Sequence, residues 1–177
     1  SGVPFMFEVL RRITLNPIIL KNLKCVTQAG GRLDSKFTDY FVKLFRENEI
    51  SYFTMYGQTE ASPRISYVPP DSALTKLGSV GLPIDIGKFY TDAFDLVSEG
   101  ELIYEGPNVC MGYAYSREDL TNSDTNKGIL KTGDIAIIDD EGYARIVGRK
   151  KRFVKIYGSS VNLDDLEAKL KAKSFET

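Results

Sequence analysis

The pentapeptide Tyr56-Gly57-Gln58-Thr59-Glu60 follows the apolar run "ISYFTM" and sets a ring, a glycine, a hydroxyl and a carboxylate side by side. Glycine lets a flat group approach the backbone. A tyrosine can offer its ring for stacking, a threonine can donate to a phosphoryl oxygen, and a glutamate can hold a magnesium ion carried by phosphates. The same residues also make a plain turn with a capping threonine. In "LKTGDIAIID", Asp134 beside a glycine can accept from the two vicinal hydroxyls of a ribose, or close an Asx turn that opens a hairpin. In "IVGRKKRFVKIYG", Arg149 can donate to a sugar or a phosphate, and the glycines with the long basic side chains can form a mobile joint. The alternative there is a solvated basic turn.

Composition removes several other chemistries. The 177 residues contain no histidine, so neither serine–histidine nor cysteine–histidine catalysis nor histidine metal ligation arises within the chain. Cys25 and Cys110 have neither the number nor the spacing of a disulfide framework or a zinc site, and are expected as buried small hydrophobes. With 23 basic and 24 acidic residues the net charge is -1, which offers no field for nucleic acid or an anionic membrane. An anionic ligand must be held locally. There is no apolar run of membrane-spanning length and no signal-like start. A reducing, cytoplasmic setting is expected.

The elements that must position these residues follow from periodicity. A helical segment near Phe5 to Ile13 runs toward the break at Pro17, and its apolar residues read as a core helix or as a wall for a hydrophobic ligand. "LKCVTQAG" reads as a short buried strand closed by Gly30-Gly31. Phe37, Tyr40, Phe41, Leu44 and Phe45 form the stripe of an amphipathic helix capped by Asp34 or Ser35, and "ISYFTMYG" is the next strand. Strand, glycine loop, helix and strand make a βαβ unit with parallel strands. Its carboxyl-end loops, Gly30-Gly31 and Tyr56–Glu60, then share one sheet edge and can share one ligand.

Past Pro69-Pro70 come short β runs, "KFYTD", "FDLVS", "GELIYEG", "DIAIID" and "GYARIVGR", with "DDEG" as a hairpin turn. The expected fold is α/β: a βαβ part of a larger sheet subdomain over 1–72, an antiparallel β-sheet or small barrel over 73–148, and the start of a small α+β C-terminal domain over 149–177. That last unit has the strand "RFVKIYG" and a helix of Leu163, Leu166 and Leu170 capped by Asn162, too little to bury both faces.

"QAGGRL", "YGQTE", "GSVGLP", "GELIYEGPNVCMGYA" and "LKTGDIAIIDDEGYARIVGRKKRFVKIYGSSVNLDDLE" occur here in the order and approximate spacing of the AMP-forming adenylating enzymes, which include acyl-CoA synthetases, peptide-synthetase adenylation domains and luciferases. The chain resembles that superfamily over roughly residues 22–170. The resemblance implies an acid-activating enzyme using ATP, magnesium and a thiol: a carboxylate attacks the α-phosphorus of ATP, and the thiol of CoA or of a carrier protein takes the acyl group from the resulting acyl-adenylate. Carried over by position, Gly30, Gly31 and Arg32 would border the adenine and Tyr56 would stack on it beside Gly57. Thr59 would contact the α-phosphate, Glu60 would bind magnesium, and Asp134 would grip the ribose hydroxyls with help from Arg149. Lys151 matches the hinge of the C-terminal domain, and Gly158 matches a loop lining the thiol's path.

The superfamily's Ser/Thr/Gly-rich phosphate loop has no counterpart before Gly30, and its C-terminal lysine would lie beyond Thr177. The resemblance therefore implies a fragment of an acid–thiol ligase. The alternatives are a nucleotide-binding or protein-interaction module without catalysis, and a peptide-synthetase adenylation domain that loads a carrier protein. As a fragment, the purified 177-residue chain is expected to support no ATP–pyrophosphate exchange with any carboxylic acid. Robust exchange would overturn the fragment reading.

Overall fold

Asp34 ends one connection and begins a helix: its carboxylate accepts the Lys36 amide at 2.8 Å, capping α2 (Ser35–Glu47). In the computed structural model of the chain, the described residues are 1–13, 21–93, 99–156, 159–163, 166, 167 and 170. Thr38, Phe41, Val42 and Phe45 recur at the helical period and form the buried stripe of α2. That stripe covers a parallel pair, β1 (Cys25–Gln28) and β2 (Ser51–Tyr56), in register from Cys25 opposite Ser51 to Gln28 opposite Thr54. The βαβ unit thus forms as its periodicity requires.

Ahead of it, α1 (Pro4–Arg12) starts with proline, which loses nothing at a position whose amide has no helical partner. It sends Phe7 inward against Phe41 (ring centroids 5.2 Å) and Tyr52 (5.9 Å). Phe41 stacks on Phe45 at 5.7 Å and Phe45 on Tyr52 at 6.0 Å, so four rings close a cycle joining α1, α2 and β2. Phe5, Met6, Val9 and Ile13 of the same segment remain exposed.

Two short strands extend this first sheet in antiparallel fashion, β3 (Ser66–Val68) and β4 (Leu82–Pro83), giving the order β1-β2-β3-β4. A second, four-stranded antiparallel sheet has the order of the chain: β5 (Lys88–Thr91), β6 (Gly100–Glu105), β7 (Ile129–Ile138) and β8 (Ala144–Arg149). "DDEG" turns β7 into β8, with the Gly142 amide donating to the Asp139 carbonyl at 2.9 Å. Beyond it, β9 (Phe153–Ile156) and β10 (Ser159–Asn162) pair as an antiparallel ladder, and residues 163, 166, 167 and 170 are helical. "FDLVS" and Gly158 lie outside the described residues.

The stretch "GSVGLP" stitches the sheets together. The Val80 amide donates to the Ala144 carbonyl at 2.8 Å and the Ala144 amide to the Gly81 carbonyl at 3.1 Å, while the Ile84 amide donates to the Ile65 carbonyl at 3.0 Å. Lys76 adds a second stitch. Its ammonium meets Asp139 at 2.8 Å and Glu141 at 2.9 Å and lies over the Tyr143 ring.

Two expectations need correction. Cys25 is exposed and Cys110 only half-buried, because β1 is an edge strand of its sheet and Cys110 sits in a surface loop. "LKTGD" is not a turn before a strand, since β7 runs through it from Ile129. Gly133, at φ 72°, absorbs a bulge there: Glu101 pairs with Ile135 and Ile103 with Lys131, so Leu102 faces three residues of β7. Phe41→Ala opens a cavity in the aromatic cycle and is expected to lower unfolding free energy by about 3–5 kcal/mol, measured by urea denaturation. A loss under about 1 kcal/mol would show that the cycle contributes little.

Candidate functional site

Burial alternates along β7, and Leu130, Thr132, Asp134, Ala136 and Ile138 all point inward. The alternation therefore carries a carboxylate into a row that is otherwise apolar or hydroxylic. An ionised group so placed needs partners in place of water. Asp134 has three. The Arg149 Nε meets Oδ1 at 3.0 Å from the facing position of β8, and Oδ2 accepts from the Tyr56 hydroxyl at 2.6 Å and from Gln58 Nε2 at 3.2 Å. The Asp134 side chain is 4% exposed and that of Arg149 is 69% exposed, so the pair spans the boundary between the sheet interior and solvent.

Tyr56 comes from the first sheet and Asp134 from the second, so this cluster sits across their junction. Burial first, and then the Asp134 charge, pushes the Tyr56 phenol well above its ordinary value and keeps it a donor. Gln58 Nε2 also donates to the Thr132 carbonyl at 2.8 Å. Thr132 Oγ1 donates to the Leu102 carbonyl at 2.7 Å and accepts the Asp134 amide at 3.1 Å.

The turn after β2 needs its glycine for space. A Cβ on Gly57 would fall 1.7 Å from the Pro63 carbonyl oxygen, so the turn can close only without a side chain there. It continues as the 3-10 turn Thr59–Ala61, with Thr59 exposed and Glu60 half-buried. Tyr113 donates its hydroxyl to the Glu60 carboxylate and holds it below the usual carboxylate range. Across the parallel pair, Gly30 at φ 76° turns the chain out of β1. The buried Gln28 fixes that loop by donating to the Gly31 carbonyl at 2.8 Å, and Arg32 is exposed beside it. Lys150 is tied to Glu101 at 2.7 Å, and Lys151 is exposed in the 3-10 turn Lys150–Arg152.

The structure thus brings Tyr56, Asp134 and Arg149 into direct contact. It places Gly30, Gly31, Thr59 and Glu60 at the carboxyl ends of β1 and β2, and leaves Lys151 on the connection out of β8. Gln58, Glu101, Asn108 and Tyr113 also shape the site. All four stand inside the motifs "YGQTE" and "GELIYEGPNVCMGYA", but no role attached to them there, because each meets its partner only through tertiary structure.

The model of the family described as "AMP-binding enzyme" matches residues 1–114. The chain belongs to the AMP-binding enzyme family. It is 35% identical over 158 residues to the probable 4-coumarate–CoA ligase 1 of Dictyostelium discoideum, a match covering 85% of this chain and 28% of that relative. Unliganded o-succinylbenzoate coenzyme A synthetase of Bacillus subtilis is similar in structure, with a TM-score of 0.75 and 26% identity over 95% of this chain and 36% of that one. The same synthetase in complex with ATP and magnesium ion has a TM-score of 0.69 at 24% identity over 92% of this chain and 34% of that one, a likeness of fold.

For a member of the AMP-binding family, magnesium is the metal to test against the residues. Among the described residues no three Cys, Asp or Glu side chains are grouped to hold a metal ion. A single carboxylate nevertheless fits a magnesium ion arriving on phosphates, which takes one or two protein carboxylates and fills its other positions with phosphate and water. Glu60, on the turn after β2 with one oxygen engaged by Tyr113, is a carboxylate of that kind. No helix among the described residues is long and apolar enough to cross a membrane.

Tyr56→Phe leaves Asp134 short of its closest donor and is expected to cost about 1–3 kcal/mol near neutral pH. The folded state keeps a phenolic proton that the unfolded chain releases above pH about 10. Stability from Tyr56 is thus present below that pH and lost above it, and the gap between wild type and variant is expected to narrow there. Urea denaturation near pH 7 and above pH about 10 checks this, and a gap that stays constant would remove the buried phenol from the account.

Proposed function

We propose that this chain forms part of an ATP-dependent acid–thiol ligase that activates a carboxylic acid as its acyl-adenylate and passes the acyl group to a thiol such as that of CoA. The observation that carries the reading is the inward Asp134 carboxylate, with Arg149 and Tyr56 on it and Thr59 and Glu60 on the adjoining turn. Family membership and the acid–CoA ligase names of the relatives support the same reading.

In the reaction, a carboxylate oxygen forms a bond to the α-phosphorus of ATP as the bond from that phosphorus to the bridging oxygen breaks, and pyrophosphate leaves. The thiol then gives up its proton and its sulfur bonds to the acyl carbon, releasing AMP. Each role below belongs to this proposal. Gly30, Gly31 and Arg32 border the adenine and the Tyr56 ring stacks on it beside Gly57, with the Tyr56 hydroxyl anchored on Asp134. Oδ1 of Asp134 takes one contact where Oδ2 takes two, so it has the greater capacity left for a ribose hydroxyl. Arg149, largely exposed, donates to the same sugar.

Thr59 donates to the α-phosphate, and Glu60 holds magnesium, which when bound neutralises phosphate charge. These groups act by position and by charge rather than by covalent participation. Lys151 is the hinge between the 73–148 and 149–177 units, and Gly158, outside the described residues, lines the thiol's path.

AMP is expected to bind the wild-type chain, and Asp134→Asn, which keeps the side chain's shape, is expected to weaken it at least about tenfold, the loss of a charged hydrogen-bond acceptor. The same variant is expected to erase the preference for AMP over 2′,3′-dideoxy-AMP. Calorimetric titration of both nucleotides measures this, with thermal melts as the control for folding. Equal AMP affinity in both proteins would take Asp134 out of the site.

A further inference from the structure

Between Gln58 and Ile65 the turn bearing Thr59 and Glu60 is gripped by the loop that follows β6, and Asn108 is the centre of that grip. Its Nδ2 donates to the Ala61 carbonyl at 2.6 Å and to the Arg64 carbonyl at 3.0 Å. Its Oδ1 accepts from the Tyr104 hydroxyl at 2.8 Å, and its main-chain carbonyl accepts from Ser62 Oγ at 3.0 Å. Two residues on, the Cys110 amide donates to the Glu60 carbonyl at 2.8 Å.

The side-chain amide has only one orientation that works. Both carbonyls of the turn can only accept, so the NH2 group must face them and the oxygen must face the tyrosine. Tyr104 is itself immobilised. It is fully buried, and a Cβ on Gly87 or Gly106 would fall 2.1 or 2.7 Å from its hydroxyl oxygen. One end of the clamp is therefore rooted in β6.

The other end meets a turn that needs holding. Ser62 adopts a left-handed backbone, φ 54° and ψ 52°, which a residue with a side chain disfavours. It lies between the two carbonyls that Asn108 binds. Ala61 is the last residue of the 3-10 turn, so movement of its carbonyl redirects Thr59 and Glu60.

We propose that Asn108 is a positioning residue that sets the direction in which the Thr59 hydroxyl and the Glu60 carboxylate face the phosphates and their metal ion. Its functional half rests on the nucleotide reading above; the clamp itself does not. Asn108 touches none of the reacting atoms, and it acts through the backbone of residues 61–64.

The test uses Asn108→Ala and Asn108→Asp in the whole chain. Amide hydrogen exchange over 57–65 is expected to accelerate about tenfold in both variants, as local opening becomes easier, with 25–56 and 129–149 unchanged. In Asn108→Asp the protection is expected to return in part below pH about 4, where a protonated carboxyl regains one donor for the turn. Unchanged exchange over 57–65, or equal acceleration along the whole chain, overturns the proposal.

Binding supplies the second arm. Both variants are expected to hold adenosine within about twofold of wild type and to weaken ATP with magnesium about tenfold, because only the second ligand needs Thr59 and Glu60. Equal losses for the two ligands overturn the positioning role. If the wild type binds neither, the nucleotide reading falls, and the exchange result alone decides for or against the clamp.

Discussion

A carboxylate turned toward the inside of a sheet keeps its charge only where other groups replace the water it has lost. Asp134 is in that position because the alternation of β7 leaves it no other face. Its partners must come from three different places: Arg149 across the β7–β8 ladder, Tyr56 from the end of β2, and Gln58 from the turn beyond. The two sheets therefore need a fixed relation. Residues 79–84 supply it by bonding to Ala144 on one side and Ile65 on the other, and the cycle of Phe7, Phe41, Phe45 and Tyr52 fixes β2 from behind. Core and site are mechanically one system.

Much of this was legible in the sequence where the signal is local. The 3.6-residue period from Phe37 to Phe45, the cap at Asp34 and the "DDEG" turn each specify their element through nearest neighbours. The site motifs were recognisable for their residue types and their order. What escaped reading depends on contacts distant in sequence or on a glycine whose local meaning is ambiguous. "TGD" suggests a turn, yet the bulge at Gly133 lets a strand run on through it. Leu82–Pro83 has no strand signature, being two residues long with a proline, and is a strand only because β3 lies beside it. The Lys150–Glu101 pair and the hold of Asn108 on the 61–64 backbone link segments more than forty residues apart, where no periodicity can point.

A common device recurs among the loops at this edge. Gln28 holds the Gly31 carbonyl, Gln58 the Thr132 carbonyl, and Asn108 those of Ala61 and Arg64. In each case a neutral carboxamide secures main-chain oxygen. Amides do not titrate over the working range of a protein, and burying one costs less than burying an ion. Main-chain oxygen at these three places is thus held without a charged side chain.

Lys150 stands between two residues with different obligations. On one side Arg149 closes on Asp134; on the other the chain departs through Lys151 toward β9. The ammonium of Lys150 is fastened to Glu101, whose other oxygen accepts the Gly133 amide at 3.1 Å, so this one carboxylate grips both the exit of β8 and the bulge beside Asp134. In mechanical terms it is a two-point fastening: a single side chain of β6 ties the first residue past β8 to the irregular stretch of β7, so the two strands that carry Arg149 and Asp134 share one anchor.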